Sequence, residues 1–272
     1  MKELLNKYQF HFKKGYGQNF LTDTNLLRAI TTDAGITAND VVLEIGAGAG
    51  ALTQQLAKVA KRVVVYEIDT NLKPILEENL KEFQNVTLVF QDFMKVSAQN
   101  LQNEVGTTFK VVANLPYYIT TPILFKLLEE TTGLQSITIM VQKEVGERIV
   151  APSGNKEYGV LSVMLQHKGS CSIKRMVKRN MFTPSPKVDS CIVHIQLYTH
   201  TFACESMFQK VVKQGFSMRR KQLANVLQQT LGVAKETIHI FLEKQHLPLT
   251  ARAEELTVAQ FEALAMYLQE NT

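Results

Sequence analysis

A short apolar run that leads directly into a glycine-rich loop constrains the fold of this chain more than any other feature. The run Val41–Ile45 is typical of a fully buried strand, and glycines alternate with alanines over residues 46–50. Apolar residues then recur at helical spacing, at Leu52, Leu56 and Val59. Glycines at a turn from strand to helix let the backbone approach a ligand closely. The segment therefore predicts a nucleotide-type loop in an α/β fold.

Further predicted strands lead to polar side chains. The run 62–67 ends in Glu67, about twenty residues after the glycines, where a ribose hydroxyl needs an acceptor. The run 86–90 leads to Asp92, which can accept from an adenine amine, and the next strand leads to Asn114. Strands alternate with helices through the first half, which favours a parallel sheet covered on both faces. We therefore expect these side chains on one ligand-binding edge of the sheet.

The hexapeptide Asn-Leu-Pro-Tyr-Tyr-Ile at 114–119 combines an amide, a carbonyl next to a proline and an aromatic ring. The exocyclic amine of a base is a poor nucleophile because its lone pair is delocalised into the ring. Two acceptors that hold the amine hydrogens move the nitrogen toward sp3 geometry, and a tyrosine can hold the base by stacking. On the hexapeptide alone, a strand followed by a proline turn is an equal alternative.

The glycine loop also raises a second possibility, a dinucleotide-dependent dehydrogenase. Its spacing is GxGxG rather than GxGxxG, and no obvious proton-transfer residue pairs with a nicotinamide site. The segment 14–21 has no role in a dehydrogenase. S-adenosylmethionine fits better. The loop can lie along its amino acid moiety, Glu67 can bind its ribose and Asp92 can bind its adenine. Asn114 then lies where the methyl group leaves.

Motifs from about residue 10 to the C-terminus, all in order, resemble those of the small-subunit ribosomal RNA adenine N6,N6-dimethyltransferases. They are Gln-Asn-Phe-Leu at 18–21, Val-Leu-Glu-Ile-Gly-x-Gly-x-Gly at 42–50, Asn-Leu-Pro-Tyr-Tyr-Ile at 114–119, Met-Val-Gln-Lys-Glu-Val at 140–145 and Phe-x-Pro-x-Pro-Lys-Val-Asp-Ser at 182–190. The large-subunit methyltransferases that confer macrolide resistance are the nearest competing branch. They usually carry Asn-Ile-Pro-Tyr and then a non-aromatic residue. Ala47 and Ser153 stand where the family often has proline, which loosens a loop without removing a contact group.

The resemblance implies a Rossmann-like class I S-adenosylmethionine-dependent methyltransferase sheet with a small C-terminal helical domain. It implies an enzyme that transfers methyl groups from S-adenosylmethionine to N6 of two adjacent adenosines in the 3′-terminal hairpin loop of small-subunit rRNA, as part of subunit biogenesis. The cofactor-binding residues it implies are Gln18, Asn19, Leu21, Glu44, Gly46, Gly48, Glu67, Ile68, Asp92, Phe93 and Asn114.

The predicted catalytic residues act on the target amine and its base. We expect the Asn114 side-chain oxygen and the Leu115 carbonyl, next to Pro116, to accept from the N6 hydrogens. The resemblance implies that Phe182 lies against the target adenine opposite Tyr117, so that two rings sandwich the base. Tyr118, the next residue, is expected to pack rather than to contact the base. Transfer to this amine needs no metal or strong general base, since the leaving group is already positively charged.

Two domains are predicted. Residues 1–198 form the catalytic domain, with 1–30 as an N-terminal arm and cofactor lid, and residues 199–272 form a helical domain that contacts RNA or the ribosome. Residues 199–201 are the expected hinge, and the loop 151–159 is long enough to act as a flap over substrate.

Basic residues concentrate in one part of the chain. The net charge is +5, but residues 168–221 hold 11 Lys and Arg against two Asp and Glu, whereas residues 31–167 hold 11 against 15. Basic runs are more often merely solvated, yet this asymmetry favours a surface that follows RNA phosphates. The predicted RNA-binding residues are Lys174, Arg175, Lys178, Arg179, Arg219, Arg220 and Lys221.

Several features are expected to be absent. The N-terminus lacks the apolar segment of a signal peptide, and no apolar run approaches the roughly 18 residues of a membrane helix. Three cysteines without CxxC spacing favour free thiols in the cytoplasm, and scattered histidines argue against a metal site. We expect a cytoplasmic monomer that binds small-subunit rRNA or the immature small subunit. A non-catalytic ribosome assembly factor and a DNA adenine methyltransferase remain alternatives.

Overall fold

The computed structural model describes residues 5, 7–13, 15, 17–199 and 202–271. The strands are β1 (Phe20–Leu21), β2 (Val41–Ile45), β3 (Arg62–Glu67), β4 (Val86–Phe90), β5 (Phe109–Asn114), β6 (Leu134–Gln142), β7 (Gly169–Val177), β8 (Phe182–Thr183) and β9 (Ser190–Leu197). The helices are α1 (Thr24–Asp33), α2 (Ala51–Ala57), α3 (Lys73–Leu80), α4 (Ala98–Val105), α5 (Thr120–Glu130), α6 (Lys143–Val150), α7 (Val160–Lys168), α8 (Glu205–Gly215), α9 (Leu223–Leu231), α10 (Lys235–Lys244) and α11 (Val258–Asn271).

A seven-stranded sheet with the order β4-β3-β2-β5-β6-β9-β7 forms the centre of the first compact unit, residues 1–146 and 172–197. Strands β2 to β6 pair in parallel, and β9 joins β6 in the antiparallel direction. The chain runs outward from β2 through β3 to β4 and then returns to place β5 on the other side of β2. Ligands of open α/β sheets bind at such a reversal of strand order, outside the carboxyl ends of the strands.

Burial explains why the parallel strands read as continuous apolar runs. Val42, Leu43, Val63, Val64 and Val65 are fully buried, and since consecutive residues of a strand point to opposite faces, both faces of the sheet are covered here. The buried acids Glu44 and Glu67 come at the carboxyl ends of β2 and β3. The first unit also contains a two-stranded ladder, in which β1 of the N-terminal arm pairs antiparallel with β8.

The second compact unit consists of residues 147–171 and 198–272. Helices α8 and α11 pack together, and α7 packs against both of them. The buried imidazole of His167 on α7 stacks on Phe208, with ring centroids 4.0 Å apart. Its two ring nitrogens lie 2.6 Å from Glu262 Oε1 and 3.1 Å from Glu205 Oε2. These contacts join α7 to α8 and α11.

The structure differs from the prediction in the segment 147–171, which groups with the second unit and not with the first. No helical period marks α7, since this helix is buried nearly all round, and such a helix has no polar face. Val59 lies beyond the end of α2 and is 39% exposed, so it is not part of an apolar helix face. The predicted hinge at 199–201 falls largely outside the described residues.

Candidate active site

A cavity of about 1080 Å³, including its open mouth, lies at the carboxyl ends of β2, β3, β4 and β5. The N-terminal arm contributes residues 17–21 to its wall. All the residues predicted to bind the cofactor line this cavity: Gln18, Asn19, Leu21, Glu44, Gly46, Gly48, Glu67, Ile68, Asp92, Phe93 and Asn114. The structure therefore brings together side chains from the arm and from four strand ends.

The glycine loop after β2 forms the floor of the cavity. Gly46 and Gly48 have φ values of +81° and +56°, a region that side chains with a Cβ rarely adopt. A Cβ on Gly48 would lie 2.9 Å from Phe20 Cε1, so the loop and the arm could not approach as they do. Small residues in this loop thus leave room for a ligand and for the arm that covers it.

Glu67, at the end of β3, is buried and braces the glycine loop. Its Oε2 accepts a hydrogen bond from the Gly48 amide at 3.0 Å, and its Oε1 accepts from the Asp69 amide at 2.9 Å. Burial raises the pKa of the Glu67 carboxyl despite these two hydrogen bonds. Each carboxylate oxygen keeps a lone pair, so Glu67 can accept from two neighbouring hydroxyl groups of a ligand.

Glu44 is a second buried acid in the wall of the cavity, only 1% exposed. Burial, with the nearby charge of Glu67, raises the pKa of Glu44 to about 8. Its Oε2 has no hydrogen-bond partner among the described residues. A buried polar atom without a partner is costly, so this oxygen needs a hydrogen-bonding partner from a ligand or solvent.

Asp92 follows β4 and lies in the cavity wall beside the buried ring of Phe93. Its Oδ1 accepts from the Met94 amide at 3.0 Å, which holds the carboxylate at the start of a short 3₁₀ turn. The carboxylate keeps acceptor positions for a ligand amine.

Asn114 ends β5, and a hydrogen bond fixes its carboxamide. Nδ2 donates to the Asn19 carbonyl of the arm at 3.0 Å, which makes Oδ1 the acceptor end of the group. Among the described residues, no hydrogen bond ends on Asn114 Oδ1 or on the Leu115 carbonyl. The Pro116 carbonyl, in contrast, accepts from the Ile119 amide and the Thr120 hydroxyl, both at 3.1 Å. The turn therefore keeps two acceptors available at the cavity.

The two tyrosines after Pro116 have different surroundings. Tyr117 is partly buried, lines the cavity and shares a 2.7 Å hydrogen bond between its hydroxyl and Ser190 Oγ. Burial raises the pKa of its phenol, although the Ser190 hydroxyl opposes this. Tyr118 is 57% exposed, and a Cβ on Gly17 would lie 3.4 Å from its ring, so the covered part of the ring packs against the arm. The hydrogen bond to Ser190 fixes the ring of Tyr117, whereas Tyr118 lies at the mouth of the cavity.

Phe182 is the predicted catalytic residue that the structure does not bring to the cavity. Its ring is only 3% exposed and belongs to the apolar core that includes Phe20 and Leu21. The ladder between β1 and β8 explains this position, because it pairs Phe182 with Leu21 of the arm. The expected sandwich of Tyr117 and Phe182 is therefore not formed here.

Asp69, which was not predicted as a site residue, anchors the arm beside the cavity. Asp69 is 1% exposed, and it accepts from Lys13 Nζ and from Gln18 Nε2, each at 2.8 Å. Burial acts to raise the pKa of Asp69, but the bonds from Lys13 and Gln18 outweigh it and keep this pKa below its usual value. No spacing signal marks Asp69, since its partners lie more than fifty residues away in sequence.

The predicted RNA-binding residues are all exposed, but they differ in their partners. Arg175 is engaged with both carboxylate oxygens of Asp33, through Nη2 at 2.8 Å and through Nε. Arg219 donates from Nε to Glu254 at 2.9 Å. Lys174, Lys178, Arg220 and Lys221 have no side-chain hydrogen bond or ion pair among the described residues, whereas Arg179 Nη1 donates to the Lys187 carbonyl at 3.3 Å.

The cavity fits S-adenosylmethionine in the chemistry of its walls. This molecule carries an ammonium group, a ribose diol and an adenine amine, all of which donate hydrogen bonds. The wall presents matching acceptors, namely the partnerless oxygen of Glu44 and the carboxylates of Glu67 and Asp92. Glycines at 46 and 48 leave the backbone open to close approach.

The described ranges lack two other features, a membrane-spanning helix and a metal-binding cluster. None of the helices there has the length and apolar character needed to cross a membrane. No group of three or more His, Cys, Asp or Glu side chains in the same residues is arranged to hold a metal ion.

Comparison with known sequences places this geometry in context. The chain matches the family described as ribosomal RNA adenine dimethylase over residues 9–270. It is 43% identical to the ribosomal RNA small subunit methyltransferase A of Bacillus licheniformis, over 99% of this chain and 95% of that protein. It is 44% identical to the protein of the same name from Lactiplantibacillus plantarum, over 96% of this chain and 91% of that protein.

Solved structures give the same result. A dimethyladenosine transferase from Plasmodium falciparum superposes with a TM-score of 0.76 at 25% identity, and the match covers 93% of this chain and 97% of that one. The 23S rRNA methyltransferase ErmE superposes with a TM-score of 0.74, also at 25% identity, over 92% of this chain and all of that one. The resemblance in fold thus extends over nearly the whole chain.

Proposed function

This chain belongs to the ribosomal RNA adenine dimethylase family, and we propose that it methylates N6 of two adjacent adenosines in the 3′-terminal hairpin loop of small-subunit rRNA. The methyl donor is S-adenosylmethionine. The observation that carries the proposal is the fixed carboxamide of Asn114, followed directly in the chain by a Leu115 carbonyl that accepts no hydrogen bond among the described residues. Two acceptors at this point suit an exocyclic amine better than any phosphate or hydride chemistry.

The residues that would hold the donor are those of the cavity wall. Glu67 is suited to the ribose hydroxyls, Asp92 to the adenine amine, and the glycine loop with Glu44 to the amino acid end. When bound, S-adenosylmethionine supplies a methyl group attached to a positively charged sulfonium. Gln18, Asn19 and Leu21 of the arm line the same cavity and would exclude water from it.

Asn114 and Leu115 act on the adenosine amine. When Asn114 Oδ1 and the Leu115 carbonyl accept one N6 hydrogen each, the nitrogen lone pair is drawn out of conjugation with the ring. Both acceptors are held before the substrate arrives, Asn114 by the Asn19 carbonyl and Leu115 by its buried side chain. Preorganised polar groups of this kind are typically the largest contribution to catalysis.

Tyr117 would hold the target base by stacking. Its ring lines the cavity next to Asn114, and the bond to Ser190 fixes its orientation. Stacking of this kind contributes roughly 1–3 kcal/mol per base, which offsets part of the cost of unstacking the adenosine. A sandwich with Phe182 requires that ring to leave the core when RNA binds.

We further propose that the exposed Lys174, Lys178, Arg220 and Lys221 contact RNA phosphates, and that the substrate is the immature small subunit in the cytoplasm. Support comes from their exposure and from the absence of side-chain partners among the described residues. Such contacts are electrostatic, so binding would weaken as the salt concentration rises.

A methyl-transfer assay tests the proposed function. The purified protein and S-adenosylmethionine labelled in the methyl group are offered undermethylated small subunits, naked rRNA and duplex DNA. We expect label in the small-subunit rRNA, and mass spectrometry should find N6,N6-dimethyladenosine at two adjacent positions. Binding to subunits without label would instead favour a non-catalytic assembly factor, and label mainly in duplex DNA would favour a DNA methyltransferase.

A further inference from the structure

Two hydrogen bonds, linked through the peptide bond between Gln18 and Asn19, connect the buried carboxylate of Asp69 to the carboxamide of Asn114. Asp69 Oδ2 accepts from Gln18 Nε2 at 2.8 Å, and the neighbouring residue Asn19 accepts from Asn114 Nδ2 at 3.0 Å through its carbonyl. Gln18 Oε1 in turn accepts from the backbone amide of Lys13 at 2.8 Å. The amide group of Gln18 therefore has both of its ends in use.

Asp69 is built into the sheet edge rather than into the arm. Its backbone amide donates to Glu67 Oε1, and its Oδ1 accepts from the Asn71 amide at 3.2 Å, which caps a short 3₁₀ turn. Lys13 Nζ lies 2.8 Å from the same oxygen. A buried carboxylate with this many fixed donors has one orientation, so it is a rigid point of attachment for the arm.

We propose that Asp69 is a positioning residue for methyl transfer: by fixing Gln18, it places the Asn19 carbonyl where it orients the Asn114 carboxamide with Oδ1 toward the substrate amine. This inference rests on the proposed function. Without the Asn19 carbonyl, the carboxamide of Asn114 can turn over and present Nδ2, a donor that would repel the amine hydrogens. Asp69 acts through Gln18 and Asn19 and touches neither the cofactor nor the target base.

A reciprocal exchange of side chains separates this role from simple structural support. Asp69→Asn keeps an oxygen for Asn71 and Lys13 but places its amide nitrogen against Gln18 Nε2, so two donors face each other. Gln18 can turn over only by facing the Lys13 backbone amide with its own nitrogen. Gln18→Glu alone places two carboxylates in contact. The double variant restores one donor and one acceptor with the direction of the bond reversed.

Three measurements follow for each variant. The first is kcat at saturating S-adenosylmethionine and small subunits, which removes effects on cofactor binding. The second is hydrogen exchange of residues 17–21 in the cofactor-free protein. The third is the side-chain amide NMR signal of Asn114, assigned by its absence in Asn114→Ala, since the bond to Asn19 slows exchange of these protons.

We expect kcat to fall at least tenfold in each single variant and to recover to within threefold of wild type in the double variant. Exchange of residues 17–21 and of the Asn114 side chain should rise and recover in parallel. Glu78→Gln is the matched control. It loosens the arm at Lys7 and Tyr8, well before Gln18, and should change none of the three measurements more than twofold.

The proposal is overturned if Asp69→Asn retains wild-type kcat, or if the double variant is no better than the worse single variant. Unchanged exchange of residues 17–21 in Asp69→Asn overturns it as well, and this result needs no turnover. If the wild-type protein itself transfers no methyl group, the proposed function fails, while the exchange data still decide whether Asp69 holds the arm.

Discussion

The cavity and the basic segments differ in how well the sequence predicted which side chains are available to bind a ligand. At the cavity, every residue predicted to bind the cofactor lies in the wall. In the basic segments, two of the predicted arginines, Arg175 and Arg219, are paired with the carboxylates of Asp33 and Glu254. Lys174, Lys178 and Lys221 are exposed, and none of them forms an ion pair with an acid among the described residues.

The difference has a structural cause. Parallel strands deliver their carboxyl ends to one edge of a sheet, so a polar residue at a strand end has a known destination once the fold is known. A basic residue on a surface has no such constraint, because any acid brought near by the fold can pair with it. Asp33 is 142 residues away from Arg175 in sequence, and no local pattern connects them.

The largest expected effect is that of Asn114→Ala, which tests the cavity side of the comparison. Loss of one preorganised group at the reacting atom typically costs about 10²–10³ in kcat. We expect this loss in labelled-methyl assays, while calorimetry shows S-adenosylmethionine affinity within about tenfold of wild type. The exposed Asn39→Ala is the matched control and should behave as wild type. Turnover near the wild-type rate in Asn114→Ala would remove the proposed acceptor role.

Glu67→Ala should act on cofactor affinity and not on the chemical step. Hydrogen bonds to a charged group contribute roughly 1.5–3 kcal/mol, so the affinity for S-adenosylmethionine should fall about 10–100-fold. Isothermal titration measures this, with the surface substitution Glu77→Ala as control. An unchanged dissociation constant would show that the carboxylate braces the glycine loop without binding the ribose.

The third expected effect concerns the pH dependence of stability. The folded-state pKa of Glu44, about 8, lies above the unfolded value near 4.3, so its stabilising contribution is complete below about pH 4.3 and is lost as the pH rises through 8. The Glu44→Gln variant does not show this loss. In the cofactor-free state its melting temperature should therefore rise relative to that of the wild type as the pH is raised from 5 to 9. Each kcal/mol corresponds to roughly 2–4 °C.

Thermal unfolding monitored by circular dichroism checks the Glu44 prediction across that pH range. The exposed Glu82→Gln serves as control, because its carboxyl lies at the surface. A difference in melting temperature between wild type and Glu44→Gln that stays constant with pH would contradict the prediction. It would mean that the Glu44 carboxyl does not take up a proton when the protein folds.

The smallest expected effect concerns the basic segments and tests whether lysines without an acidic partner contribute more to RNA binding than the paired Arg175. Lys174→Ala with Lys178→Ala should lower RNA affinity severalfold and reduce the slope of log K against log salt by roughly 1.4–1.8, about 0.7–0.9 for each phosphate contact. Arg175→Ala with Asp33→Asn removes one charge of each sign and should leave the slope unchanged. Equal slopes for the two double variants in filter binding at several salt concentrations would contradict the distinction.

Much of the fold was predictable because buried strands and amphipathic helices have strong periods. Strands β2, β3 and β4 have the predicted bounds, and the family resemblance and the α/β class are confirmed by the comparisons. Helix α7 was not predicted, since neighbours on several sides bury it and remove the period that marks a helix.

The candidate site was predictable to a similar extent, and the predictions that failed did so for a similar reason. Asn114 could be assigned from its own chemistry, but nothing in the sequence indicated that the Asn19 carbonyl would fix its carboxamide. Phe182 lies in a motif that suggests a base-stacking ring, yet pairing of β8 with the arm buries it in the core. Both outcomes depend on where the N-terminal arm lies.

The sequence by itself determined the family, the parallel sheet, the methyl donor and the set of residues at the strand ends, because these follow from local period and motif order. Only the tertiary structure decided that Asp69 holds the arm, that Asp33 occupies Arg175 and that Phe182 is buried. Each of these is a pairing between residues distant in the chain. Such pairings depend on how the whole unit packs, and the sequence of a short segment does not indicate which distant residue it will contact.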